Sequence, residues 1–166
     1  MDNARTSQSL FGEIAAIGGP LKSPTDEAPS ARPKRDTKRT GDVSEANVIN
    51  ALVDAGFSIS IPFGENHRYD LVADDGERLL RVQVKTGRLR GSVIKFACCS
   101  THAHRGGTER SYFGEIDLLA VYCPETRKVY LLPESQLVAT RTNLRIDPPK
   151  NGMKKRIRWA QHFELP

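Results

Sequence analysis

The sequence predicts an α/β or α+β sandwich, and three observations predict it. One strong helical pattern, "GDVSEANVINALVDAGF", stands near the start of the folded part. A series of short β-branched or aromatic runs follows, each bounded by a turn signal. A last short segment, "ESQLVAT", reads as a helix to lie against the sheet.

The elements follow in order. Residues 1–40 are rich in Pro, Gly, Ser, Ala and charge and hold almost nothing that could form a packed face, so they read as a flexible basic tail and 41–166 as the folded domain. The tail ends in "RPKRDTKR", where Arg32, Lys34, Arg35, Lys38 and Arg39 suit a solvated linker or an arm on phosphates. From Gly41, Val43, Ala46, Val48, Ile49, Leu52 and Val53 recur near helical spacing, and Gly56 is a natural stop. Strands are predicted in "FSISIPF", on both sides of Asp75-Gly76, and in "SVIKFACC", "IDLLAVYC" and "KVYLLP". The stretch "STHAHRGGTERSYFGE" reads as a loop between strands, and no internal repeat is present.

Composition bounds the function. The 166 residues suit one compact domain plus a tail. Lys and Arg number 25 against 20 Asp and Glu, a net charge of +5 with pI near 9.3, which favours a polyanionic partner. Three cysteines, Cys98, Cys99 and Cys123, are an odd number with two adjacent, a poor disulfide framework that suits a reducing cytosol. No apolar run approaches the ~20 residues that span a bilayer, so a cytoplasmic protein with no membrane contact is expected.

Chemistry concentrates in "YDLVADDGERLLRVQVKTGR". Alternation sends Leu80, Val82 and Val84 to one face of a strand and Arg81, Gln83 and Lys85 to the other. A tight turn at Asp75-Gly76 pairs position 70 with 81 and sets Asp70 diagonal to Gln83, ~7–8 Å away between α-carbons; a turn one residue longer reverses that parity. Asp70, the amide oxygen of Gln83 and Glu45 on the helix could share a hard divalent cation, with Lys85 beside the attacking water or the developing charge. The same residues also fit an ordinary exposed polar strand face.

Glu45, "RYDLV", "RVQVKTG" and "FGEIDLLAVYCPETRKVYLLP" together resemble the PD-(D/E)XK nuclease superfamily, specifically its group I intron-associated homing endonuclease branch. The resemblance covers residues 41–135 in order, and "NGMKKRIRWAQHFEL" resembles that branch's C-terminal segment. It implies a restriction-endonuclease-like core, a mixed β-sheet flanked by helices. It also implies Mg2+-dependent cutting of double-stranded DNA, with Mn2+ able to substitute, by a homo-oligomer, dimer or tetramer, that brings two sites to two strands.

Carried over by position, Glu45 matches the helix acid and Asp70 the metal acid. Gln83 matches the second motif position, Val84 a backbone carbonyl ligand, and Lys85 the catalytic lysine. The wider superfamily has a carboxylate where this chain has Gln83 and a proline where it has Tyr69; the glutamine is treated as a mark of the branch. Two alternatives are a Holliday-junction resolvase-like nuclease and a catalytically silent DNA-binding protein of the same fold.

Other residues are weighed beside these. Arg81, Arg88, Arg90 and Lys95 around the hairpin and Lys154, Lys155 and Arg156 in "KKRIRW" are candidate phosphate contacts. His102 and His104 with Cys98 and Cys99 match no zinc spacing, so no zinc is predicted. Asp117 reads as a strand-entry acid and Trp159 and Phe163 as core. Gly87 suits a strand-end turn or a close approach to DNA.

Overall fold

The computed structural model describes residues 36–64, 66–102, 108–149 and 155–166. The predicted tail lies outside the described residues as far as residue 35. Residues 36–40 already belong to the domain, because helix α1 (Thr37–Asp54) starts before the predicted Gly41. Asp36 caps it, its Oδ1 accepting the Arg39 N–H at 2.9 Å, so the charged "DTKR" is a first helical turn. The buried stripe is Ser44, Val48 and Leu52, four residues apart; Val43 and Val53, read as apolar face, are about half exposed. Gly56, in the left-handed region at φ 93°, turns the chain out of the helix.

The main sheet has five strands in the order β1 (Ser58–Ser60), β2 (Leu71–Asp74), β3 (Leu79–Thr86), β8 (Leu118–Cys123) and β9 (Lys128–Pro133). Only β3 and β8 run parallel, so the sheet is mixed. Between them the chain forms β4 (Arg88–Arg90), β5 (Val93–Ala97), β6 (Cys99–His102) and β7 (Thr108–Ser111), and β10 (Arg141–Arg145) follows β9. Strands β10, β5 and β4 make a second, antiparallel sheet, and β6 pairs with β7. The predicted loop "STHAHRGGTERSYFGE" therefore holds strands on both sides of residues 103–107. The predicted helix in "ESQLVAT" is a single 3-10 turn, Glu134–Gln136, and another covers Ala160–His162.

Both faces of the main sheet are covered. Val48 and Leu52 of α1 pack on Leu71, Ala73, Val82, Val84, Ala120 and Tyr122, while Leu119, Val121 and Cys123 face the opposite way and pack with Ile94, Phe96, Tyr112 and Leu144. A strand buried on both sides reads as a continuous apolar run, as "LLAVYC" does. The face that carries Gln83 and Lys85, expected to be open, is thus the one that also carries Leu119 and Val121, their partners on β8. Among the described residues no helix is long and apolar enough to cross a membrane.

Gly87 joins the two sheets. A β-carbon there would lie 2.7 Å from Cγ2 of Ile94 and 2.9 Å from Cγ1 of Val121, closer than packed atoms tolerate, and its N–H donates to the Tyr122 carbonyl at 2.7 Å. Its role is close packing inside the protein, unlike either reading from the sequence. Gly87→Ala should destabilise the fold by about 1–3 kcal/mol, the usual range for overpacking a core; denaturant unfolding measures it, and an unchanged midpoint would refute the packing role.

Candidate active site

The hairpin that positions the site is longer at its tip than the sequence suggested. Asp74 pairs with Leu79 and Leu71 with Val82, which leaves Asp75–Arg78 as the loop and moves the pairing by two residues. Asp75 ties that loop down, its Oδ1 accepting the N–H groups of Glu77 and Arg78 at 2.9 and 2.7 Å. Two is an even number, so side-chain parity survives, and Asp70 comes opposite Gln83.

Beyond the Leu71–Val82 pair, one last backbone bond, from the Asp70 N–H to the Val82 carbonyl at 2.9 Å, joins the two strands before they part. The Val84 N–H, left without a strand partner on that side, donates to Oδ2 of Asp70 at 2.7 Å. Nε2 of Gln83 donates to the same oxygen and, at 3.3 Å, to the Val84 carbonyl. Oε1 of Gln83 accepts from no described residue. Gln83 as a whole is only 7% exposed, and its side chain lines the adjoining cavity.

Helix α1 supplies the other wall. Ser44, 1% exposed, hydrogen-bonds Thr86 through their hydroxyls at 2.6 Å and donates to the Thr40 carbonyl, which docks the first turns of α1 on the end of β3. The next residue, Glu45, then lines a cavity of about 340 Å3 with Asp70, Gln83, Val84 and Lys85, and Lys38 and Asp42 also line it. The structure brings all four predicted catalytic residues together. Lys38 enters from the first helical turn.

Burial raises the pKa of the Asp70 carboxyl above its ordinary value, against the Val84 N–H and the charge of Lys85, which lower it. Glu45 is raised by burial first and then by the charges of Asp70 and Asp42. Two partly buried carboxylates push against each other, and the oxygen-rich donor set (Asp70, Glu45, Oε1 of Gln83 and the Val84 carbonyl) suits a hard cation. Lys85 holds its Nζ 5.0 Å from the centroid of the Tyr112 ring. Arg68 packs on that ring too, with Cζ at 4.6 Å from the centroid, anchored by Glu115, by Oγ of Ser100 at 2.8 Å and by the Ser111 carbonyl at 2.9 Å.

Among the described residues, none of the phosphate contacts predicted around the hairpin or in "KKRIRW" lines this cavity, whereas Lys38 of the predicted basic arm does. Arg81 is engaged elsewhere: its Nε and Nη2 grip Asp117 at 3.0 and 3.1 Å, and its own N–H reaches Oδ2 of Asp117 at 2.7 Å. That makes Arg81 a clamp on the entry of β8, with Asp117 held below the usual carboxylate range mainly by the Arg81 hydrogen bonds. Arg88, Arg90 and Lys95 lie on the second sheet, Lys155 and Arg156 are exposed, and Lys154 and His104 lie outside the described residues. Trp159 is half-buried beside β10, and Phe163 packs on the core. Ser44, Thr86, Arg68 and Tyr112 were missed. A helix serine or a loop tyrosine carries no local signal of a partner some forty residues away.

A family model described as PD-(D/E)XK endonuclease matches residues 35–166. Among solved structures, the chain is similar to a bacterial homing endonuclease, I-Ssp6803I, at 23% identity and a TM-score of 0.65, covering 78% of this chain and 89% of that one. No curated protein matches significantly.

The raised Asp70 carboxyl has a sign that can be tested. An acid whose pKa rises on folding makes the folded state bind the extra proton, so stability is lost as pH climbs from the ordinary value of 3.8 through the raised one. Asp70→Asn removes the charge and keeps an oxygen for the Val84 N–H. In metal-free buffer it should melt above the wild type near neutral pH, and the gap should close toward about pH 4. A constant gap across thermal melts at several pH values would refute the buried charge as its cause.

Proposed function

The chain belongs to the PD-(D/E)XK endonuclease family, and from that premise we propose that it hydrolyses phosphodiester bonds of double-stranded DNA with Mg2+, Mn2+ serving as a substitute. The observation that carries the reading is the pairing of Asp70 and Glu45 in one cavity with Lys85, both acids raised by burial and Glu45 further by the charge of Asp70. Asp70, Glu45, Oε1 of Gln83 and the Val84 carbonyl would hold the cation. When bound, it supplies positive charge against the phosphoryl oxygens and makes water a better nucleophile.

The chain's own groups do the rest. Val84 N–H and the Gln83 amide fix the Asp70 carboxylate, so its orientation is set before substrate arrives. The ammonium of Lys85, held against Tyr112, orients the attacking water and offsets the charge that develops on the phosphate. Likeness to a bacterial homing endonuclease favours a homing-type enzyme, and cutting both strands would take a dimer or tetramer that brings two sites to them. The Holliday-junction resolvase reading shares the same site, and a silent DNA-binding role would rest on Gln83.

Plasmid nicking tests the proposal. Wild type should cut with Mg2+, and Asp70→Ala and Lys85→Ala should each lose about 100-fold or more. Absence of cutting with Mg2+ or Mn2+ on any duplex or junction, alongside salt-sensitive binding, would sink the enzyme and leave the silent module. A four-way junction preferred by orders of magnitude would favour the resolvase. Gln83→Glu should bind Mg2+ more tightly by calorimetry and melt lower without it, because a donor to Asp70 becomes a repelling charge; unchanged Mg2+ affinity would remove Gln83 from the ligands.

A further inference from the structure

The second sheet carries a charge pattern that the catalytic cavity does not use. Strands β4, β5 and β10 send Leu89, Ile94, Phe96 and Leu144 into the core. Alternation therefore places Arg88, Arg90, Lys95, Arg141, Asn143 and Arg145 on the outer face. Register sets them in rows: Arg88 beside Lys95 beside Asn143, and Arg90 beside Val93 beside Arg145. Like charges side by side across strands destabilise a sheet. Glu125 at 4.0 Å from Arg88 and Glu109 at 3.9 Å from Arg141 answer only the flanks; among the described residues no carboxylate lies within 4.0 Å of Arg90, Lys95 or Arg145.

The edge of this sheet opens into a cleft of about 510 Å3 with no carboxylate among the described residues of its lining. Residues 157–159 run along β10, the Arg145 N–H donating to the Arg158 carbonyl at 2.8 Å and Arg145 bridging to Trp159. Arg145, Arg156 and Arg158 line the cleft with Thr142 and Asn143, and Nη1 of Arg158 reaches Oγ1 of Thr142 at 3.3 Å. Among the described residues none of the three guanidinium groups is paired with an acid. Arg156 sits at φ 57°, a left-handed backbone that few non-glycine residues adopt.

We propose that the outer face of β4, β5 and β10, together with the arginine cleft at its β10 edge, binds backbone phosphates of duplex DNA beside the phosphate being cut. The inference rests on the nuclease reading and extends it to the surface that holds the substrate. Cations spread over rows of a sheet and into a neighbouring cleft match a polyanion of regular spacing. A single free phosphate would satisfy only one of them. Guanidinium groups are well suited to phosphate oxygens, which they engage in bidentate fashion.

The backbone of Arg156 supplies a clean test. Glycine adopts φ 57° without strain, so Arg156→Gly removes the guanidinium and should melt no lower than wild type. Arg127, exposed in the β8–β9 turn at the same φ of 57° and part of neither these three strands nor the cleft lining, gives a matched control in Arg127→Gly. Duplex binding by the full chain is measured in EDTA across a salt series. Arg156→Gly and Arg145→Ala should each weaken binding to unrelated sequences alike, by roughly fivefold near 0.1 M salt, and flatten the salt slope by about 0.9 for each phosphate no longer neutralised. Arg127→Gly should leave the slope unchanged.

An unchanged slope in both variants, or an equal fall in Arg127→Gly, overturns the proposal. Loss of stabilisation by inorganic phosphate in Arg156→Gly without any change in DNA slope overturns it too, and assigns the cleft to a free anion. Mg2+-dependent cutting by the wild type is scored separately: its absence would remove the nuclease reading while a slope change still assigned the face to DNA.

Discussion

The parting of β2 from β3 after the Leu71–Val82 pair is the constraint on which the site depends. It leaves the Val84 N–H inside the protein without a strand partner, and a buried amide must find an acceptor. Asp70, the residue just before β2, is that acceptor. A desolvated carboxylate is thereby fixed by the same hydrogen bond that repairs the sheet. Lys85 is the next residue along β3, and the Ser44–Thr86 hydrogen bond brings Glu45 to the opposite wall, so the cavity follows from one gap in a ladder.

Glutamine at position 83 makes sense within that gap. A carboxylate there would put a third negative group beside Asp70 and Glu45, both already raised by burial. The glutamine amide instead donates to Asp70. It holds the acid in place whether or not a cation is present, and keeps a hard oxygen for ligation. The exchange favours a protein whose Asp70 is already oriented over one with the most negative charge in the cavity.

Legibility in the sequence divided along physical lines. Alternation in "LLRVQVKTG" brought Asp70 and Gln83 to one face because period-two parity tolerates a shift of two residues: the turn was misplaced, yet the two side chains still met. The apolar run of β8 was plain because both its faces are buried. Strand β10, "RTNLR", was missed because it buries only Leu144, and β7, "TERS", because it is short and polar; tertiary pairing makes strands of segments with no local pattern. The helix start was misread because "DTKR" looks like a charged linker until Asp36 is seen as its cap. Arg81 looked available to phosphate because its partner, Asp117, lies 36 residues away.

Gly87 stands between the candidate site and the proposed DNA-binding face. Lys85, Thr86, Gly87 and Arg88 follow one another along the chain, so the lysine of the cavity and the first arginine of the outer face are at most ~10 Å apart at three residues of ~3.3 Å. Duplex DNA carries about one charge per 1.7 Å of its axis, so under the proposed reading a backbone with one phosphate at Lys85 would present others near Arg88. The contact at Gly87, where Ile94 of the second sheet and Val121 of the first close on a residue without a side chain, keeps that spacing rigid. A bulkier residue there would press on both sheets at once, and the spacing between Lys85 and Arg88 would shift with them.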